Sequence, residues 1–89
     1  MRTHELKTWP GPFGLVKSGA KRHEVRPDDR GFVAGDVVVL REYDPHYFAR
    51  DRGDYTSSAP LRFIIGHVSE GGTWGLPIGL CVFTLLEET

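Results

Sequence analysis

The chain passes from a helix into a strand at Gly19-Ala20-Lys21-Arg22-His23-Glu24-Val25-Arg26, and the rest of the sequence is organised around this stretch. Gly19 predicts the end of the helix, because glycine adopts the left-handed cap conformation without steric cost. Side chains alternate between the two faces of a strand. We therefore expect Val25 in the core, with Glu24 and Arg26 together on the opposite, wetter face. Lys21 joins those two residues if the backbone turns just after Gly19.

Two interpretations of this charged strand are open. Exposed pairs of opposite charge are commonly a solvated surface that contributes little to stability. Alternatively, the cations of this strand form a binding site, since Lys and Arg attract phosphate and Arg can bind it through two parallel hydrogen bonds.

Composition predicts one folded domain over residues 1–89. Hydrophobic residues make up 39% and charged residues 26% of the chain, which is ordinary for a globular protein. The net charge of −1 means that any anion-binding surface must be a local patch. The single cysteine, Cys81, excludes an internal disulfide and lies in an apolar run typical of a core.

Targeting signals are not recognisable in the sequence. The first residues lead to no long apolar segment, and no run approaches the roughly 20 apolar residues that span a bilayer. The sequence therefore predicts a cytoplasmic protein without a membrane partner.

The pattern of apolar and turn residues predicts a mainly β fold. Pro12 suits the first turn of a helix, and Phe13 and Val16 supply a short apolar stripe before Gly19. The prediction is a small, partly closed β-barrel with one helix near residues 11–19 and about five strands, at 4–9, 22–26, 37–43, 61–68 and 79–86. The strand residues expected to be buried are Val25, Val38, Leu40, Ile64, Val82 and Phe83.

Two connecting segments stand out between the strands. Residues 44–60 predict a long loop, which we expect to be more mobile than the strands because it carries few aliphatic residues and many charges. Residues 71–77 are rich in glycine. A phosphate-cradling loop must be followed by a helix, and no helix is predicted here, so we interpret this stretch as a turn.

The familiar catalytic motifs do not occur. The chain contains no GxGxxG, P-loop or GxSxG motif, and its histidines lack the spacing of zinc ligands, so no metal or cofactor is predicted. The remaining candidates are cations, a carboxylate that can accept a hydrogen bond from an exocyclic amine, and aromatic rings that can stack on a base. These ligand-binding candidates are Lys21, Glu24, Arg26, Arg30, Trp9, Phe13 and Trp74.

The opening pattern resembles that of ASCH-domain proteins, in particular a compact bacterial and phage-associated branch. The pattern is His4-x-Leu6-Lys7-x-x-Pro10-x-x-Phe13-x-x-Val16-x-x-Gly19-x-Lys21-x-x-Glu24-x-Arg26. The likeness continues through the Gly35-Asp36 turn and the stretch from Gly71 to Pro77, and covers nearly the whole chain. Residues 44–60 are longer than is usual for this branch, so nothing is carried over to them.

ASCH domains are similar to PUA domains, which are small β-barrels that bind RNA. The resemblance implies a cleft beside the first helix, floored by the Gly-x-Lys-x-x-Glu-x-Arg motif, and makes Lys21, Glu24 and Arg26 the best site candidates. Some small ASCH proteins are amidohydrolases that remove an acyl group from cytidine, using a Lys and a Thr of this motif with a Glu from a later helical insertion. Here Lys21 is present, but Glu24 stands at the Thr position and the chain has no room for that helix.

Three functions are therefore open. The first is a module that binds RNA or a modified nucleoside or nucleotide through Lys21, Arg26 and Glu24. The second is an amidohydrolase with Lys21 as base and Glu24 as proton carrier. The third is a protein-interaction module that uses the 44–60 loop. The sequence leaves the oligomeric state open.

Overall fold

The computed structural model describes residues 1–46 and 53–88, which form six strands and one helix. Most elements begin and end at the turn residues noted above. In chain order they are β1 (Thr3–Thr8), α1 (Pro10–Ser18), β2 (His23–Pro27), β3 (Val37–Asp44), β4 (Asp54–Tyr55), β5 (Leu61–Glu70) and β6 (Leu80–Leu86). The predicted mainly β fold with one short helix is confirmed, and the strand count rises by one because β4 lies within the segment predicted as a loop.

The strands form one sheet in the order β1-β3-β5-β6-β2, with β4 paired to β3. The β1–β3 pair is parallel, and the other pairs are antiparallel. β3 has a neighbour on each side, and its first residues, Val37, Val38 and Leu40, are almost fully buried. Since Val37 and Val38 point to opposite faces of the sheet, β3 is covered on both faces at its start.

Arginine side chains, rather than backbone pairing, join the two ends of the strand order in the described part of the chain. Arg26 Nη2 donates to the carbonyl oxygen of Lys7 at 2.9 Å, and Arg30 Nη1 donates to that of Glu5 at 3.3 Å. Unpaired strand edges otherwise invite pairing with other chains. The sheet is therefore not a closed barrel, and these two contacts link β1 to β2 and to the segment that follows it, across an open seam.

Helix α1 has the boundaries that its prolines and Gly19 predict. Proline occupies its first turn, and Gly19 adopts φ 84° with its N–H donating to the carbonyl oxygen of Val16 at 3.0 Å. A helix this short needs tertiary packing, which Phe13 and Val16 provide from its buried face. Leu15 lies on the exposed face.

The core lies between α1 and the concave face of the sheet. It is built from aliphatic and aromatic side chains of α1, four strands and the segment before β3: Leu6, Val16, Phe32, Val38, Leu40, Ile65, Cys81, Phe83 and Leu85. Cys81 is fully buried, as predicted. Burial raises the pKa of its thiol, and the nearby carboxylates of Asp28 and Asp29 add to this effect.

The predicted orientation of β2 is wrong. Glu24 is 3% exposed and Val25 is 48% exposed, so the two side chains point the opposite way from the expected one. The reason is the pairing with β6, in which Glu24 lies opposite the fully buried Phe83 and Val25 lies opposite Val82. Directly opposite residues share a face of the sheet. Of the other residues expected to be buried, Val38, Leu40 and Phe83 are buried, whereas Ile64 and Val82 are only partly so.

A buried carboxylate holds the start of the chain against the turn before β3. Asp36 accepts hydrogen bonds from His4 Nε2 at 2.9 Å, from the Arg2 N–H at 3.1 Å and from the Val33 N–H at 3.3 Å. These contacts, the one with His4 above all, lower the pKa of Asp36 from 3.8 to about 2 against the opposing effect of burial. The Gly35-Asp36 turn predicted from the sequence is thus also an anchor for β1.

The segment after the undescribed residues packs on β3. Tyr55 pairs with Tyr43 across the strands, with ring centroids 5.3 Å apart, and Lys7 Nζ lies 4.6 Å from the centre of the Tyr43 ring. The prediction that the 44–60 loop is more mobile than the strands falls mainly on residues 47–52, which lie outside the described residues. No helix in the described ranges has the length and hydropathy of a membrane span.

Candidate functional site

The turn between α1 and β2 places Lys21 beside the strand. Gly19 reverses the chain direction, and the Lys21 N–H donates to the carbonyl oxygen of Leu15 at 3.0 Å. The Lys21 ammonium then lies 2.9 Å from Glu24 Oε1. The turn assumed from the sequence is therefore present, and it brings the lysine to the carboxylate.

Arg26 completes the cluster from the other side of Glu24. Its Nε donates to Glu24 Oε2 at 3.0 Å, while its Nη2 donates to the Lys7 carbonyl oxygen and, at 3.2 Å, to Thr8 Oγ1. The Glu24 side chain is 4% exposed, whereas those of Lys21 and Arg26 are each 21% exposed. A buried carboxylate is stable only when it is paired, and here each oxygen faces one cation.

The cluster forms one wall of a cavity between the end of β1 and β2, called here the β1–β2 cavity. Its volume is about 300 Å³, at the lower end of the range for small-molecule sites. The beginning of α1 closes one side, where Trp9 is 60% exposed. The lining residues are Lys7, Thr8, Trp9, Pro12, Lys21, Glu24, Val25 and Arg26.

Several hydrogen-bond donors of the cluster are available to a ligand. Contacts within the described residues use one of the three N–H groups of Lys21 and those at Nε and Nη2 of Arg26. Two donors remain on the lysine and two on Nη1 of the arginine. The cluster carries a net charge of +1, which favours an anion or a polarised carbonyl oxygen.

The backbone of Val25 adds one donor and one acceptor. Hydrogen bonds from Leu85 N to Arg22 O and from Asp28 N to Gly79 O show which pairs of the β2–β6 ladder are bonded. Bonded and non-bonded pairs alternate in an antiparallel ladder, so Val25 and Val82 form a non-bonded pair. The N–H and C=O of Val25 therefore point away from β6. They point toward the seam between β1 and β2, where Val25 lines the cavity.

The beginning of α1 contributes little to anion binding. Pro10 and Pro12 have no N–H, and the N–H of Phe13 already donates to the Trp9 carbonyl oxygen at 2.9 Å. Of the N–H groups that usually bind anions at a helix N-terminus, only that of Gly11 remains in this first turn. Any anion in the cavity therefore depends on the side-chain cations.

Three other predicted site residues lie elsewhere. Phe13 is 2% exposed and packs in the interior, so the prediction that it contacts a ligand is wrong. Arg30 lines a neighbouring cavity that also contains Arg26. Trp74 is 96% exposed and lines a separate, more apolar cavity of the glycine-rich turn.

Sequence reasoning missed Lys7 and Thr8 as part of the site. The alternation of β1 does indicate that Thr8 shares the inward face of Leu6, as its burial confirms. Nothing in the sequence indicates that β1 ends beside β2, because these two strands are not hydrogen-bonded neighbours. Across the described residues, no group of His, Cys, Asp and Glu side chains has the arrangement of a metal site.

Comparison with known proteins defines the family. Residues 3–85 match the family described as "Domain of unknown function (DUF3850)". Since this match spans most of the chain, the chain belongs to that family.

A phage protein is also similar to this chain. It is the "Uncharacterized 12.9 kDa protein in GpA 3'region" of Escherichia phage P2, which is 40% identical over 42 residues. The similar region covers 47% of this chain and 38% of the phage protein, so it spans less than half of either. A phage relative agrees with the phage association expected from the sequence.

Proposed function

We propose that this protein binds a nucleoside or nucleotide, free or within RNA, in the β1–β2 cavity. One observation carries the proposal. Two cations, Lys21 and Arg26, are fixed side by side on the buried carboxylate of Glu24, in a cavity that has an exposed tryptophan at its rim. The resemblance to ASCH domains supports the same cleft and the same three residues.

Each group in the cavity has a chemical role in this proposal. Lys21 and Arg26 donate to a phosphate or to a base carbonyl oxygen. Trp9 offers a ring face on which a base can stack. The N–H and C=O of Val25 form an adjacent donor and acceptor, a pattern that complements the edge of an unpaired base.

Glu24 acts mainly by positioning the two cations. Its side chain is 4% exposed and both of its oxygens already accept from a cation. Orienting Lys21 and Arg26 is therefore favoured over the role expected from the sequence, which is to accept a hydrogen bond from an exocyclic amine of the ligand.

Amide hydrolysis is a second candidate, and Thr8 is the observation in its favour. The Thr8 hydroxyl lies in the same cavity, within 3.2 Å of Arg26 Nη2, and is an oxygen nucleophile on β1 rather than in the Gly-x-Lys-x-x-Glu-x-Arg motif. The ion pair between Lys21 and Glu24 argues against hydrolysis, because an amine acts as a base only when it is neutral. We therefore place binding first.

Intrinsic fluorescence provides a direct test of binding. The chain contains two tryptophans, and Trp74→Phe leaves Trp9, at the cavity rim, as the only one. We expect nucleosides or nucleoside 5′-monophosphates to change its emission saturably. Lys21→Ala and Arg26→Ala should each weaken binding about 5- to 150-fold, the effect of losing roughly 1–3 kcal/mol in a charge-assisted hydrogen bond.

Arg62→Ala is the control, because Arg62 is likewise a cation paired with a carboxylate, but its pair is exposed and it lines none of the cavities described. It should bind as the parent does, and thermal melting should show that all variants remain folded. Absence of saturable binding by any of these compounds, or equal affinity in all variants, would contradict the proposal.

N4-acetylcytidine distinguishes binding from hydrolysis. Hydrolysis converts it with water into cytidine and acetate, which changes its ultraviolet absorbance. Turnover that is lost in Thr8→Val would establish the second candidate. Failure to bind any nucleoside or nucleotide would instead leave protein interaction through residues 44–60 as the remaining alternative.

A further inference from the structure

A second cavity adjoins the first at Lys21, and we infer that it receives the neighbouring nucleotide of the same ligand. The inference rests on the proposed function and makes it more specific. In this arrangement the protein binds a single-stranded oligonucleotide of at least two residues, with the linking phosphodiester over Lys21.

The second cavity lies between the end of α1, the start of β5 and the end of β6, and is called here the α1–β5 cavity. Its volume is about 330 Å³, similar to that of the first. Its lining is mixed, and the apolar members are Val16, Leu61, Phe63 and Leu85. Apolar side chains in a cavity can contact a flat, weakly hydrated group such as a nucleobase.

Cations also line this cavity. Lys17, Lys21 and Arg22 line the α1–β5 cavity, against a single carboxylate, that of Glu87. Lys17 has a structural explanation, since a cation in the last turn of a helix interacts favourably with the helix dipole. Arg22 has no such explanation, because it lies beyond the helix.

The Arg22 guanidinium lies close to Gly19. A Cβ atom at position 19 would be 3.7 Å from Arg22 Nη2, so the guanidinium packs over the glycine that ends α1. Arg22 is thus positioned at the cavity next to Lys21. A lining that combines apolar and cationic side chains suits a ligand that is part base and part phosphate.

Lys21 lines both cavities and connects them. One of its three N–H groups is bound to Glu24, which leaves two donors for a ligand. A phosphodiester there places one base on the Trp9 side and the next over the Phe63 side. A mononucleotide fills only one of the two cavities.

The charge of the two cavities supports the same assignment. Their linings together contain five cations (Lys7, Lys17, Lys21, Arg22 and Arg26) and two carboxylates (Glu24 and Glu87). This gives a local excess of three positive charges in a chain whose net charge is −1. Such an excess favours a ligand with more than one phosphate.

The test compares nucleoside 5′-monophosphates with 5′-phosphorylated dinucleotides, using the Trp9 fluorescence of Trp74→Phe. For the base that binds best, we expect the dinucleotide to bind at least about tenfold more tightly, equivalent to about 1.4 kcal/mol. The slope of log affinity against log salt should be steeper by about 0.7 for the added phosphate. Arg22→Ala should remove most of this tenfold ratio, and Arg62→Ala should leave it unchanged.

The outcomes separate the two proposals. If mononucleotides bind and dinucleotides bind no better, the second cavity is not a nucleotide site and the proposed function stands. Tighter dinucleotide binding whose ratio is unaffected by Arg22→Ala also overturns the inference, because the second nucleotide then lies elsewhere. If neither probe binds, the proposed function fails, and the inference with it.

Discussion

Glu24→Gln tests whether the carboxylate holds the candidate site together. The substitution preserves the shape of the side chain and removes its charge. One oxygen can still accept from Lys21 or Arg26, but the other becomes an amide group that faces a cation. The variant therefore leaves two neighbouring cations without the charge that pairs them.

The structure sets the magnitude of the effect. Breaking a fully buried ion pair by removing one partner destabilises a protein by about 3–5 kcal/mol. Here Glu24 is 4% exposed, but each partner is 21% exposed, so water screens part of the loss. We expect a loss of about 1–3 kcal/mol, which corresponds to about 4–24 °C in Tm for a domain of this size.

Glu5→Gln is a matched control for this experiment. Glu5 also pairs with an arginine at 2.9 Å, but its side chain is 58% exposed, and exposed pairs contribute no more than about 1 kcal/mol. Thermal and urea unfolding of the two variants should separate them clearly. The combined Lys21→Met and Glu24→Gln variant should be less destabilised than the sum of the single changes, since the two residues share one contact.

Equal stability of Glu24→Gln and Glu5→Gln would refute the argument. In that case the ion pairs of the buried Glu24 carboxylate stabilise the protein no more than an exposed ion pair does.

Three further predictions concern stability and reactivity. The pKa of Asp36 is lowered to about 2, so its ionised carboxylate stabilises the folded protein above pH 4. This stabilisation is lost as the pH falls toward 2 and below. The stability difference between the wild type and Asp36→Asn, measured by urea unfolding, should therefore shrink by about 2 kcal/mol between pH 5 and pH 2; a constant difference would show that Asp36 does not titrate this way. Gly71→Ala should lower the free energy of unfolding by about 1–3 kcal/mol, since its Cβ would lie 2.5 and 2.7 Å from two backbone oxygens. Gly11→Ala is the control: a Cβ there meets no atom within 4 Å, so this variant should melt near the wild type. Cys81 is fully buried and its thiol pKa is raised, so iodoacetamide should modify it only after unfolding, and rapid modification of the native protein would contradict the described core.

Local signals explain which elements the sequence determined by itself. Prolines near the start and Gly19 at the end bound α1, because their backbone preferences act without any tertiary contact. The apolar run beginning at Val37 marks β3, and the residues between Gly71 and Pro77 mark a turn, for the same local reason. Residue types make Lys21, Glu24 and Arg26 candidates for a site, and the resemblance of the motif to that of ASCH domains makes them the best ones.

Only the tertiary structure decided which face of β2 is buried. A five-residue strand with one clear apolar side chain carries a weak alternation signal, and Val25 suggested the wrong face. The pairing of Glu24 with Phe83 turns the carboxylate inward instead, and Lys21 and Arg26 compensate its charge there. The free energy of that arrangement depends on contacts between distant parts of the chain, which a local pattern does not contain.

The candidate site itself also depends on tertiary structure. Lys7 and Thr8 are 19 and 18 residues from Arg26 in the chain, and they meet it because β1 and β2 lie at opposite ends of one curved sheet. Strand order and curvature arise from the packing of the whole core. The sequence by itself therefore determined the chemical groups of the motif, whereas the fold determined which residues share a cavity with them.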